Sequence, residues 1–274
     1  MVSAVGWSTG ALARPSGPAS PAALVWAALD AQIDFFDTAP GGDAQDTLSR
    51  AVRSRRPQLA LGARCVAAES PAAFSPPDRA WRPEEVRRRL ESALRRLQTD
   101  WLDLWLLDHP PPDALADDNL WAQLADDRQA GWVRAVGVAV DGDEDARTAL
   151  DRGAIDVLAL PLNLAPDRFE TDRSLATEAA ERDVAVVAGD PLGGNGTLMS
   201  LLRGLTHPET ERTGAQARLA GVLSVPGVTS ALTPAATPSE IGEHAAAAGV
   251  PLSDVETRML AARLDEARES QREP

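Results

Sequence analysis

Apolar and polar positions fall along this chain in blocks of two kinds. Asp34–Ala39, Leu59–Cys65, Leu102–Leu107, Val133–Val140, Ile155–Leu160, Val184–Ala188 and Val228–Leu232 are short, nearly continuous apolar runs. They read as strands, and Val2–Gly6, a β-branched run that ends at a glycine, reads as the first of the series. Runs that are apolar throughout, with no alternation, are expected of parallel strands covered on both faces. Segments of helical spacing lie between them. The clearest opens at Arg82-Pro83-Glu84-Glu85, with Pro in the first turn and acids behind it, as the positive end of a helix prefers. Val86, Leu90, Leu94 and Leu97 then form one apolar stripe. Pro21–Ala31, Gln45–Arg53, Ala114–Arg128, Glu144–Arg152, Thr171–Arg182, Thr213–Leu223 and Val255–Ala267 read as helices too. Thr237-Pro238-Ser239-Glu240 has the capping-box spacing that starts another. Glu69–Ala80, rich in Pro, Ser and Ala, reads as a long loop.

Strand followed by helix, eight times over, predicts an α/β protein of the (β/α)8 TIM barrel type. No GxGxxG follows the first strand, which counts against an open doubly wound sheet. A length of 274 residues suits one barrel, and no composition shift marks a boundary, so a single domain over 1–274 is expected.

Charge narrows the partners. A net charge of −14 and a pI near 4.7 argue against nucleic acid and anionic membrane surfaces. No run approaches the roughly 18 apolar residues of a membrane span. The start of the chain has no basic segment followed by a long apolar one, and the single cysteine, Cys65, cannot form an internal disulfide, so a reducing, cytoplasmic setting is expected. A small-molecule substrate and a homo-oligomer fit these bounds. No two histidines have metal-ligand spacing, so no metal is expected.

The chemistry is expected around Asp34-Phe35-Phe36-Asp37-Thr38-Ala39-Pro40-Gly41-Gly42. An apolar strand there ends in an acid and a tight turn, which sets Asp37 at the strand tip where barrel enzymes keep their reacting groups. Arg64 and Asp108 stand at the ends of the third and fourth strands. Leu104, Leu106 and Asp108 share a strand face, so Asp108 inherits the inward position unless a bulge re-aims His109. His109 begins the rigid segment Asp108-His109-Pro110-Pro111-Pro112. Asp190 and Asn163, near strand ends, are candidate pocket residues, and Trp7 either walls a pocket or packs in the core. His207 and His244 read as solvated, and the acidic run Asp141–Asp145 as a solvated loop or a helix start.

Several stretches resemble the aldo-keto reductases, in order and over nearly the whole length. Asp34–Ala39 resembles that family's second-strand "FFDTA" segment. Leu90–Trp105 is similar to its third helix and fourth strand, and Gly131–Val138 to its "GKIRxIGVS". Pro191-Leu192-Gly193-Gly194 resembles its pyrophosphate loop, and Pro226–Pro238 its last strand and cofactor phosphate loop. The resemblance implies a catalytic tetrad of Asp, Tyr, Lys and His. Asp37 matches the Asp. Gly42 stands at the Tyr position, Arg64 at the Lys position and Asp108 at the His position, with His109 one residue late. The sequence holds no Tyr and no Lys at all. The residues that hold the nicotinamide are replaced by Ala139, Val140, Ala159 and Gly189, and the basic grip on a 2′-phosphate by Ala236. Gly193, Gly194 and Asn195 remain as a vestigial phosphate loop.

Three functions follow as expectations. The first is a cofactor-independent acid–base enzyme of specialised metabolism, a dehydratase, isomerase, epimerase or cyclase acting on a small carbonyl-bearing metabolite. In it Asp37, Arg64, Asp108 and His109 carry the reaction: Arg64 grips an oxyanion, and Asp108 or His109 moves a proton. The second is a divergent NADPH-dependent reductase whose proton donor is Asp108 or His109. The third is a non-catalytic binding or scaffold protein on the same barrel.

Overall fold

The structure is a computed structural model and describes residues 2–13, 20–38, 42–67, 80–193 and 212–270. Numbered along those residues, the strands are β1 (Val5–Ser8), β2 (Phe35–Thr38), β3 (Ala60–Cys65), β4 (Leu102–Asp108), β5 (Val133–Ala139), β6 (Val157–Leu160), β7 (Ala185–Ala188) and β8 (Val228–Thr233). The helices are α1 (Pro21–Asp30), α2 (Gly42–Val52), α3 (Pro83–Leu97), α4 (Pro112–Ala116), α5 (Asp118–Gln129), α6 (Asp143–Arg152), α7 (Phe169–Glu181), α8 (Gly214–Leu223), α9 (Pro238–Ala246) and α10 (Asp254–Ser270).

All eight strands are parallel and each pairs with its successor, while β1 also pairs with β8 and closes the barrel. This is the (β/α)8 architecture that the strand and helix blocks predict. Alternate side chains sort into two layers. Phe35, Leu104, Leu106, Ala139, Ala159, Val187 and Leu232 pack inside the barrel. Phe36, Leu61, Cys65, Trp105, Leu107, Val138, Leu158 and Val186 face outward into the shell of helices. Burial on both faces explains why the strands carry no polar alternation. Cys65 is buried in this outer layer.

Several boundaries shift by up to three residues from the sequence reading, and two differences have a clear physical cause. The first strand starts at Val5 and runs through Gly6 to Ser8. Gly6 is no stop signal: a Cβ there would lie 2.8 Å from Phe35 Cδ1 and 2.9 Å from Leu232 Cδ2, so the glycine makes room for the interior layer. The single helix read over Ala114–Arg128 is two, because Asp117 adopts an extended conformation and its carboxylate accepts from the Asn119 backbone N–H, starting α5 afresh. The helix expected after Thr237 is α9, with both halves of the capping box made by Thr237 and Glu240. Most of the expected 69–80 loop lies outside the described residues.

Candidate active site

The C-terminal ends of β2, β3 and β4 bring Asp37, Arg64 and Asp108 together. Arg64 Nε donates to Asp37 Oδ2 at 2.8 Å, and Arg64 Nη1 lies 3.4 Å from Asp108 Oδ1. The register sets this up: Asp37 lies opposite Gly62 and Asp108 opposite Ala139, so the long Arg64 side chain rises between two short acids. Asp37 is buried, and its Oδ1 has no hydrogen-bond partner among the described residues. Gly62 stands beside it; a Cβ there would touch that oxygen at 3.5 Å. Burial alone would lower the Arg64 pKa, but Asp37 and then Asp108 outweigh it and raise it. Arg64 is therefore a fixed cation that binds oxygen and gives up no proton.

Strand parity carries Asp108 inward, and the chain then turns sharply. His109 has φ of +55°, in the left-handed region that a histidine rarely adopts. Its backbone N–H donates to the Ala139 carbonyl at 2.8 Å and pins the turn to β5. The turn leaves the imidazole between two carboxylates: Nδ1 is 2.8 Å from Asp108 Oδ1, and Nε2 is 3.0 Å from Asp141 Oδ2. Partial burial would lower the His109 pKa, but Asp141 and Asp108 together raise it above the usual histidine value. Both Asp108 and His109 therefore reach the mouth, one by pleat and one by backbone turn. Asp141 was read as solvated in the sequence. Its contact with His109 is a long-range pairing that no spacing reveals.

A cavity of about 180 Å³ opens beside this cluster, floored by Ala139, Ala159 and Gly189 and walled by Arg64, His109 and Asp190. Partial burial raises the Asp190 pKa, and among the described residues no charged neighbour offsets it. That carboxyl folds over Gly193, where a Cβ would sit 2.2 Å from Asp190 Oδ2. Gly194, Asn195 and His207 lie outside the described residues. Asn163 is spent on its own loop, donating to the Pro161 carbonyl and accepting from the Ala165 N–H. Trp7 lies outside the cavity: it is buried, donates to the Ala235 carbonyl at 2.9 Å and meets Phe36 edge-on. His244, read as solvated, is buried on α9. Among the described residues no group of His, Cys, Asp and Glu can hold a metal ion, and no helix is long and apolar enough to cross a membrane.

A closed (β/α)8 barrel with its charged cluster and cleft at the strand C-termini belongs to a class whose members do their chemistry at that face. The aldo/keto reductase family model matches residues 6–220, and the chain belongs to that family. It is 31% identical over 234 residues to a 6-dehydroglucose reductase of Novosphingobium aromaticivorans, covering 79% of this chain and 71% of that one. It is 30% identical over 146 residues to the aldo-keto reductase YhdN of Bacillus subtilis, covering 50% of this chain and 42% of that one. A thermostable aldo-keto reductase, Tm1743, superposes with a TM-score of 0.80 at 22% identity, over 96% of this chain and 95% of that one. An aldo-keto reductase of Klebsiella pneumoniae in complex with NADPH superposes with a TM-score of 0.74 at 25% identity, over 97% of this chain and 91% of that one.

These findings overturn two expectations. The cofactor-independent dehydratase, isomerase or cyclase is overturned: the family match and the named relatives are reductases, which fits the divergent reductase among the expectations better. The expectation of no cofactor is overturned too, because a neighbour of the same fold, the Klebsiella pneumoniae aldo-keto reductase, is solved with NADPH. The sequence reading gave too much weight to the missing Tyr and Lys. A cation still stands at the Lys position, bonded to Asp37, and a histidine still reaches the mouth. The cleft also fits the ring end of such a cofactor. A Cβ at Gly189 would meet only Leu160 backbone atoms, its carbonyl oxygen at 3.4 Å, so the floor is open to a flat ring. Asp190, on the wall, can accept from a carboxamide N–H.

Proposed function

We propose that this protein is a nicotinamide-dependent oxidoreductase that interconverts a carbonyl and an alcohol on a small molecule, with His109 in the role of proton donor. When bound, the cofactor supplies hydride to the carbonyl carbon. Arg64 orients the carbonyl oxygen and stabilises its growing negative charge. His109 gives that oxygen a proton, becomes neutral, and recovers a proton from solvent at its exposed edge. Asp37 and Asp108 hold Arg64 between them, and Asp108 also fixes the His109 ring. Ala139, Ala159 and Gly189 form the floor of the ring site, and Asp190 its polar wall.

The observation that carries this reading is the His109 ring held between Asp108 and Asp141 at the edge of the ring-sized cleft. An imidazole whose pKa is raised there by two carboxylates is a group suited to proton transfer near neutral pH. Substituting His109→Gln keeps the polar contact with Asp108 and removes the proton. Turnover of a panel of aldehydes and ketones is expected to fall by roughly 10²-fold or more, with the fold intact by circular dichroism. Full turnover by the folded variant would refute the role.

The adenosine end favours the form without the 2′-phosphate. By resemblance, Thr233–Ala236 faces that phosphate; here Ala236 supplies no cation. The backbone N–H groups of Ala236 and Thr237 are bonded to the Glu240 carboxylate at 2.8 and 3.1 Å. A phosphate there meets a carboxylate where it needs a positive charge.

A further inference from the structure

We propose that Asp141 is the positioning residue of this site, holding the outer nitrogen of His109 over the cleft and keeping the ring from turning out into solvent. The inference rests on the role given to His109, and goes beyond it by assigning which nitrogen acts and what aims it. The two carboxylates that hold the ring are unequal. Asp108, on β4, has a side chain only 15% exposed and is tied to Arg64, so its grip on Nδ1 is fixed. Asp141 lies in the turn after β5, with a side chain 72% exposed, so its grip on Nε2 is the one that an entering carbonyl oxygen or water displaces. Nε2 is therefore the nitrogen that carries the proton to substrate, and Nδ1 the one that anchors.

The backbone supports the same division of work. His109 is locked at φ +55° with its N–H on Ala139, so only side-chain rotation remains, and Asp141 opposes that rotation. The charged groups facing the ring come from each neighbouring element. Asp108 lies on β4, and Arg64 on β3 acts through Asp108. Asp141 comes from the turn between β5 and α6. Asp190 follows β7 across the cavity. Arg168, before α7, is held by Asp172 at 2.8 Å and lies 3.6 Å from Asp143, so it steadies the acidic turn from behind.

The test is a histidine ring NMR titration of the full chain, wild type against Asp141→Asn. The chain has three histidines, and His109→Gln assigns the signal. In Asp141→Asn the His109 midpoint is expected to fall by roughly 0.5 pH units, the size of one partly exposed ion pair. Asp141→Glu is expected to restore it. The alkaline limb of the kcat/KM profile is expected to move by the same amount. An unchanged His109 midpoint in folded Asp141→Asn overturns the proposal. The titration needs neither cofactor nor turnover. A shifted midpoint without activity in the wild type would therefore sink the reductase role and leave the positioning intact, and an unshifted midpoint with activity would do the reverse.

Discussion

Arg64 lies 2.8 Å from Asp37 and 3.4 Å from Asp108, and without it both acids lose the cation that pairs them. Removing one partner of a buried pair leaves the other charge uncompensated, which costs far more than the pair contributes. Arg64→Met is therefore expected to destabilise the protein by about 3 kcal/mol in urea unfolding at neutral pH. Adding Asp37→Asn is expected to recover part of that loss. Equal stability of wild type and Arg64→Met would show that the bridge is weakly coupled to the fold. At this scale the sequence was only partly legible. Asp37 was read from its strand end, Arg64 and Asp108 from the family resemblance, and pleat parity then set Asp108 inward; each depends on residues close in the chain. The position of His109 depends on one left-handed residue, and its contact with Asp141 on pairing between β4 and β5. Neither leaves a mark in local spacing.

Elements were read best where burial decides them. β3, β4, β5 and β8 lie within a residue or two of their expected bounds because each is an apolar run covered on both faces. α3 begins at Pro83 as expected, its first-turn acids at the positive helix end and its Arg95 and Arg96 at the negative one. Errors arose where one residue has two meanings. Gly6 serves tight interior packing and not a chain stop. Asp117 accepts a new helix's N–H in the middle of what reads as one helix. Arg212 makes a contact of the same hidden kind. Its guanidinium bonds Glu256 at 2.6 Å and the Val250 and Pro251 carbonyls at 3.0 Å, tying α10 to the barrel. A lone arginine before a helix carries no such message in sequence.

Across the whole molecule, two histidines give stability opposite dependence on pH. His244 on α9 is buried, and its Nδ1 has no hydrogen-bond partner among the described residues. Burial lowers its pKa, and Glu243 and Glu240 only partly offset this. The unfolded chain takes up that proton first, so the fold loses stability as pH falls below about 6.5 towards the folded value. His109 acts in the opposite sense, because its raised pKa gives stability that is lost as pH rises through the folded value. Comparing wild type with His244→Gln isolates the first effect. From pH 8 to 5.5 the variant is expected to gain roughly 1 kcal/mol relative to wild type in denaturant unfolding. A difference that does not change with pH would mean that His244 titrates normally.

The family and the barrel are settled by the whole chain, and the reaction turns on whether the cleft beside Arg64 and His109 takes a nicotinamide. The most direct measurement is calorimetric titration of the purified protein with NADH and, in parallel, NADPH. One-to-one binding of NADH at micromolar strength, at least about tenfold tighter than NADPH, and abolished when Gly189→Trp fills the floor of the cleft, is the predicted result. Absence of binding by either dinucleotide at millimolar concentration would contradict the account.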